Sequence, residues 1–205
     1  MAPWALSDEV AILTRPCAGY ATLVQRVSRG DRLWIGARRP LYAALLLGAT
    51  VSLLTTGTLT LRLVLGGALT WSFVPLFEAA SVAIASHGRP SALSRSRALD
   101  LYFAGRGAWS LALIALGAVA AYSPPLVVYF WASSWHQRAL LAGFALPVAA
   151  WSAYVDVCFF RVVLEYSSRR AVRVLAVQRA LSWTASFLYF AGMALSPYIV
   201  GIFRR

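Results

Sequence analysis

The sequence predicts an all-α polytopic membrane protein, and three observations predict it. Apolar residues make up 60% of the 205-residue chain and charged residues 13%, where an ordinary soluble domain carries about 25% charged. The apolar residues gather into runs long enough to cross a bilayer. The basic residues gather between those runs. Five transmembrane helices are expected, at about 41–60, 63–85, 108–131, 139–163 and 181–203, preceded by a cytoplasmic amphipathic N-terminal segment, 1–40. A mean hydropathy of +0.68 agrees with that class.

Residues 1–40 contain no uninterrupted apolar core followed by a small-residue cleavage site, so they are read as part of the mature protein. Ser7 is a candidate N-cap, with Asp8 and Glu9 in the first helical turn. Pro16 begins or bends a second helical piece. Leu13, Cys17, Tyr20, Val24 and Val27 recur at helical spacing, with Arg15, Gln25, Arg26 and Arg29 on other sides. This pattern predicts a basic helix lying on the membrane surface. Packing against the protein's own loops is the alternative, since an apolar stripe does not choose its partner. Gly30 and Asp31 are expected to end the helix.

The run 41–60 follows Arg38, Arg39 and Pro40, carries no charge and has the length a spanning helix needs. Its hydroxyl residues, and Gly48 four before Ser52, suit close packing against other helices. Arg62 marks a short turn, and 63–85 carries Pro75 and Glu78. Proline is common in membrane helices and is read here as shaping packing. Between His87 and Arg106, Pro90 is a candidate helix start and Gly105 a candidate stop. Arg95 and Arg97 precede Leu99, Leu101, Tyr102 and Phe103, so this helix is also expected at the interface. The third run meets Ser123, Pro124 and Pro125. Either it continues to Trp131, or it ends early and 127–135 lies at the far interface, with Tyr129, Trp131 and Trp135 in an aromatic belt. The fourth run, 139–163, holds Pro147 and passes without a clear break signal into 166–179. The fifth is bent at Pro197.

Fifteen arginines fall on alternate inter-run segments and four on the others. The positive-inside rule therefore places the N-terminus in the cytoplasm and the C-terminus outside, as an odd number of spans requires. The expected location is a bacterial inner membrane. A formal charge of +12 is spread between hydrophobic runs rather than gathered on a soluble face, which excludes a nucleic-acid-binding reading.

The chemistry of known site types is missing from the sequence. His87 and His136 fall on opposite sides of the expected membrane, so they form neither a metal site nor a proton relay. With no lysine in the chain, the usual phosphate-cradling motif is excluded, and no serine nucleophile elbow occurs. Cys17 and Cys158 lie far apart in different settings and are read as free thiols. No catalytic residue, metal or cofactor is assigned, and the chain is not read as an enzyme.

Leu13-Thr14-Arg15-Pro16 in a basic N-terminus, a tight first hairpin, and Asp100-Leu101-Tyr102-Phe103-Ala104-Gly105 leading into three further spans resemble bacterial Yip1-domain membrane proteins over nearly the whole chain. The resemblance implies five spans with a cytoplasmic N-terminus. Eukaryotic members of that family reside in Golgi and endoplasmic reticulum membranes, bind small GTPases and take part in vesicle transport and membrane shaping. The chain has no clear match to their Tyr-Gly signatures, so no binding residue is carried over.

The expected function is that of a non-catalytic membrane scaffold or accessory subunit that organises lipid or a partner complex. Anionic lipid, a membrane protein partner or a second copy of the chain would meet Arg15, Tyr20, Arg26, Arg29, Arg95, Arg97, Arg169, Arg170 and Arg173. Glu78, Asp156 and Arg161 form the expected buried charged cluster, since ionised groups in hydrocarbon must face protein, water or each other. Glu78 and Arg161 come out at similar depth and are expected to pair. Asp156 lies about 7.5 Å deeper than Arg161 and is turned about 140° from it, so it is expected to be protonated or bonded to Ser152 or another polar side chain. Glu165, one turn after Arg161, competes for the same guanidinium. The alternative function is a transporter or channel component that uses these three residues along a polar path.

Overall fold

Pro16 sets the first corner of the chain. In the computed structural model, which describes residues 6–26, 33–87, 93–122 and 135–203 and the side chains of 9–26, 35–87, 93–122, 135, 139 and 143–193, helix α1 (Leu6–Thr14) gives way to α2 (Pro16–Arg26) at that proline. Proline at the first helical position loses only a donor that would be unpaired anyway. The two helices meet closely at Gly19, where a Cβ would stand 2.9 Å from the backbone of Ala11 and Ile12. Among the described residues every regular element is an α-helix.

Helix α3 (Leu33–Thr56) starts earlier than expected and carries Arg38, Arg39 and Pro40 within it. It turns back at Gly57, whose φ of +67° suits a residue without Cβ, into α4 (Leu61–Trp71), capped by the Thr60 hydroxyl accepting from the Leu63 amide at 3.3 Å. The second apolar run is then broken at Ser72, and α5 (Phe73–Ala85) carries it on. Pro75 explains the break, because it has no N–H to donate to the carbonyl four residues earlier.

Ser94 caps α6 (Arg95–Ala104), which stops at Gly105 as expected; α7 (Gly107–Tyr122) follows at a bend of 48°. The bend leaves Gly105 and Arg106 between the two helices. Leu101, Tyr102, Phe103 and Ala104, expected to meet the interface, are buried in the protein core. The expected continuation of the third run to Trp131 lies outside the described residues. Helix α8 (Trp135–Val162) does not run on into the next segment. It ends with the Leu164 and Tyr166 amides donating to Phe159 and Phe160 carbonyls at 3.4 and 3.0 Å, and with Glu165 at φ 54°. Helix α9 (Ser168–Phe203) follows, 36 residues or about 54 Å long.

One end of the bundle holds the core. Ile12, Tyr20, Leu23, Val82, Leu101, Tyr102, Phe103, Val155, Phe159, Phe160 and Leu175 pack there in one cluster. The other end and the flanks leave Leu61, Leu69, Phe144, Leu146, Phe187, Leu188 and Phe190 exposed, a surface suited to hydrocarbon and far too apolar for water. Three helical stretches are long and apolar enough to cross a membrane (Ile35–Thr56, Leu61–Ala85, Gly143–Val162), or four if bent α6 and α7 count as one span. The described residues are thus all-helical, with stretches that suggest a membrane protein. By length and composition the described residues do not reach the five expected spans.

The apolar stripe of the N-terminal helices is buried against the protein itself. The helices pack on α8, with the Trp151 indole N–H donating to the Leu13 carbonyl at 3.1 Å. Cys17 and Cys158 are bonded as a disulfide, with Cα atoms 4.9 Å apart, which corrects their reading as free thiols. The turn of α2 brings Cys17 to α8 on the same face as Tyr20, a juxtaposition that separation in sequence conceals.

Candidate functional site: a buried ion-pair cluster

Asp156 is fully buried, one helical turn beyond buried Ser152 on α8. Two guanidiniums converge on it. Arg106 Nη1 donates to Ser152 Oγ at 2.9 Å and to Asp156 Oδ2 at 3.3 Å, while its Nε stands 3.1 Å from Glu78 Oε2. Arg179 Nη2 donates to the same Asp156 Oδ2 and, at 3.1 Å, to Ser152 Oγ; its Nη1 lies 3.8 Å from Glu78 Oε1. Two carboxylates and two guanidiniums thus balance in charge and tie α5, the α6–α7 bend, α8 and α9 together.

Tyr102 and Gln178 extend the cluster. Arg106 Nη2 donates to the Tyr102 hydroxyl, and the Arg106 carbon Cζ sits 4.4 Å from the centre of the Tyr102 ring, a cation–π contact. Gln178 Nε2 donates to Ser81 Oγ at 3.0 Å and to the Tyr102 hydroxyl at 3.1 Å. Asp156 Oδ1, Gln178 Oε1 and the Tyr20 hydroxyl are buried and make no hydrogen bond among the described residues. Burial pushes the Tyr20 phenol well above its ordinary range. The negative charge of Asp156 adds to that, and Arg106 and Arg39 oppose it.

A second charged group sits where α3, α6 and α1 meet. Asp100, only 3% exposed, takes a bidentate pair from Arg38 at 2.9 and 2.7 Å and a further contact from Arg39 Nη1 at 2.7 Å. Arg39 Nε reaches Glu9 Oε1 at 3.2 Å. The bidentate geometry fixes the start of α3 against α6.

Of the expected cluster, the structure joins Glu78 and Asp156 but not Arg161, which is exposed. The expected Glu78–Arg161 pair is therefore corrected: Arg106 and Arg179 take the acids. Asp156 does meet Ser152's environment, yet through shared guanidiniums and as one acceptor of an ion pair, not as an isolated acid. Arg161 points away because five residues separate it from Asp156 on one helix. Its competition with Glu165 along one helical face also falls, since α8 ends before Glu165.

Among the expected surface contacts, Arg15, Arg26, Arg95, Arg169, Arg170 and Arg173 are exposed and Arg97 is half-buried. The Cζ of Arg170 lies 4.7 Å from the Tyr166 ring centre. Arg29 lies outside the described residues. Tyr20 is corrected: it is 0% exposed, packed edge-on against Phe159 with ring centres 5.8 Å apart, and is not available to lipid or a partner.

Sequence reasoning missed Arg106, Arg179, Tyr102 and Gln178. The signal for the first two was present, because an acid buried in a span needs a cation at equal depth, and both arginines stand just before the third and fifth runs, on the side where the second and fourth runs end. No protein-family model matches the chain, and neither curated proteins nor solved structures gave a match.

Proposed function

We propose that the chain is a non-catalytic membrane scaffold or accessory subunit of a bacterial inner membrane, with five spans, a cytoplasmic N-terminus and an external C-terminus. The observation that carries this reading is the charge-balanced cluster of Glu78, Asp156, Arg106 and Arg179, in which each ionised group is compensated by a neighbour from another helix. Such an arrangement fixes how helices are placed.

The cytoplasmic orientation draws on the arginine asymmetry. The start of α3, the end of α5, α6, the end of α8 and the start of α9 meet at one end of the bundle through Arg38–Asp100 and the Tyr166 hydroxyl donating to the Ala85 carbonyl at 3.3 Å. That common end is the one the charge count assigns to the cytoplasm. Exposed Arg15, Arg26, Arg95, Arg169, Arg170 and Arg173 then face anionic headgroups, each contributing about 1 kcal/mol near the surface. The resemblance to Yip1-domain proteins is consistent with a non-catalytic role and adds no binding residue.

The test is reconstitution into vesicles. Binding to liposomes should favour anionic over neutral lipid and strengthen as salt is lowered, and reconstituted protein should pass no more protons or ions than empty vesicles. Flux that disappears with Glu78→Gln would instead make the cluster part of a transport path and overturn the scaffold reading.

A further inference from the structure

We propose that the α1–α2 hairpin is a plug over the buried ion pairs, latched by a reversible Cys17–Cys158 disulfide that a dithiol reductant opens. The bond joins α2 to α8 two residues beyond Asp156. Three residues further along α2, Tyr20 enters the core against Phe159, and its hydroxyl fills the space where a Cβ on Gly105 would stand, 2.2 Å away. The plug therefore sits between the α6–α7 bend that carries Arg106 and the helix that carries Asp156.

The docked hairpin leaves the Tyr20 hydroxyl and Asp156 Oδ1 without hydrogen bonds among the described residues. Both would be hydrated if the hairpin lifted. What opposes lifting, besides the disulfide, is burial of Ile12, Tyr20 and Leu23, the Glu9–Arg39 pair and the Trp151–Leu13 hydrogen bond. The docked state is thus one that a covalent link helps to hold and that buried unpaired groups work against.

The sulfurs differ in access: Cys17 is half-buried on α2 and Cys158 is 1% exposed. A thiolate of the dithiol attacks Cys17 Sγ and forms a mixed disulfide. The Cys17–Cys158 bond breaks, and Cys158 leaves as a thiolate that takes up a proton. The second thiol of the reductant then attacks the mixed disulfide, releasing Cys17 as a thiol. Two electrons and two protons pass to the protein, and the reductant ends as a disulfide. In a cytoplasmic orientation, as proposed above, the surrounding thiol pool makes such a bond transient and sensing rather than permanent. The latch itself does not depend on that orientation or on the scaffold reading.

The experiment uses the full chain in detergent micelles, oxidised with diamide and then reduced with dithiothreitol, with thiol state counted by alkylation and mass spectrometry. Deuterium exchange should rise about tenfold or more in 11–26 on reduction, without change in 61–71. Asp156 should become reactive to a water-soluble carbodiimide only in the reduced protein, and reoxidation should reverse both effects. Cys17→Ser should match the reduced state and ignore dithiothreitol. Equal exchange in the two states, an Asp156 that stays protected after reduction, or two thiols that remain free after diamide would each overturn the latch. The wild-type chain supplies both states, so the result does not hang on the variant folding.

Discussion

Arg106 Nε stands 3.1 Å from Glu78 Oε2, across the gap between the α6–α7 bend and α5. Each group lowers the cost of burying the other, and Arg106 also serves Asp156. Removing one member of such a buried pair costs about 3–5 kcal/mol, because its partner is left uncompensated. Arg106→Ala should therefore destabilise the protein in detergent by that order. Glu78→Ala with Arg106→Ala should lose less than the sum of the single losses, by about 0.5–3 kcal/mol. Exposed Arg161→Ala should change stability by no more than about 0.5 kcal/mol. Unfolding titrations of the four variants decide it: strict additivity would mean the two side chains do not support each other.

How much of this was legible in the sequence depends on which coordinate is asked for. Apolar runs give depth along a helix, and depth set Glu78 level with Arg161 and Asp156 about 7.5 Å deeper, whereas the structure brings both acids to the same two guanidiniums. Rotation about the helix axis decides which basic residue answers, and periodicity cannot give that between helices whose packing is unknown. Arg106 was further hidden by sitting in a two-residue break beside Gly105, which reads as loop. Tyr20 illustrates the same limit, since a helical stripe marks a face to be buried and leaves open whether lipid or α8 buries it. Pairing of Cys17 with Cys158 is a purely tertiary fact. Arg106 and Arg179 are spent on internal ion pairs, yet removing both from the arginine count still leaves the bias between the two sets of segments strong.

Close crossing of α3 and α4 depends on Gly48. A Cβ there would stand 2.3 Å from the Val64 carbonyl oxygen and 2.5 Å from the Ala68 amide nitrogen, both backbone atoms that cannot swing aside. Gly48→Ala should cost about 1–3 kcal/mol by forcing the helices apart. Gly66, with nothing within 4 Å of its Cβ position, offers the control: Gly66→Ala should be neutral or stabilise by about 0.5–1 kcal/mol. Thermal unfolding of both in one detergent checks the contrast, and equal behaviour would remove the packing argument.

Glu165, three residues past the end of α8, lies in the left-handed region, with φ at 54° and its side chain exposed. A Cβ in that conformation costs roughly 1–2 kcal/mol, and glycine carries no such cost. Glu165→Gly should raise stability by about 1 kcal/mol after the added chain entropy of glycine is allowed for. Glu165→Val should lower it, because a branched side chain tolerates positive φ poorly. Chemical unfolding of the pair reads the sign. A glycine variant less stable than the parent would show that the Glu165 side chain holds a contact that outweighs its backbone strain.

Tyr20 carries a hydroxyl that is fully buried and makes no hydrogen bond among the described residues. An unsatisfied buried hydroxyl costs about 1–3 kcal/mol, so Tyr20→Phe, which keeps the ring against Phe159, should leave stability at pH 7 unchanged or raise it by about 1 kcal/mol. The pH dependence separates this from a simple packing effect. Burial, with the charge of Asp156, raises the folded-state pKa of Tyr20 above the ordinary value of 10.0. The unfolded chain therefore loses the phenolic proton first as pH rises. Below pH 10 both states hold the proton and the group adds no slope. Above it the folded state binds more protons than the unfolded one, and stability falls with rising pH by up to about 1.4 kcal/mol per unit. The chain contains no lysine to add a slope in that range, and the other tyrosines are common to both proteins. Unfolding free energies measured at pH 8, 10 and 11 should thus diverge, with Tyr20→Phe declining less than wild type above pH 10. Parallel curves would place the Tyr20 hydroxyl in contact with water, and a loss of more than about 1 kcal/mol at pH 7 would show that it has a hydrogen-bond partner.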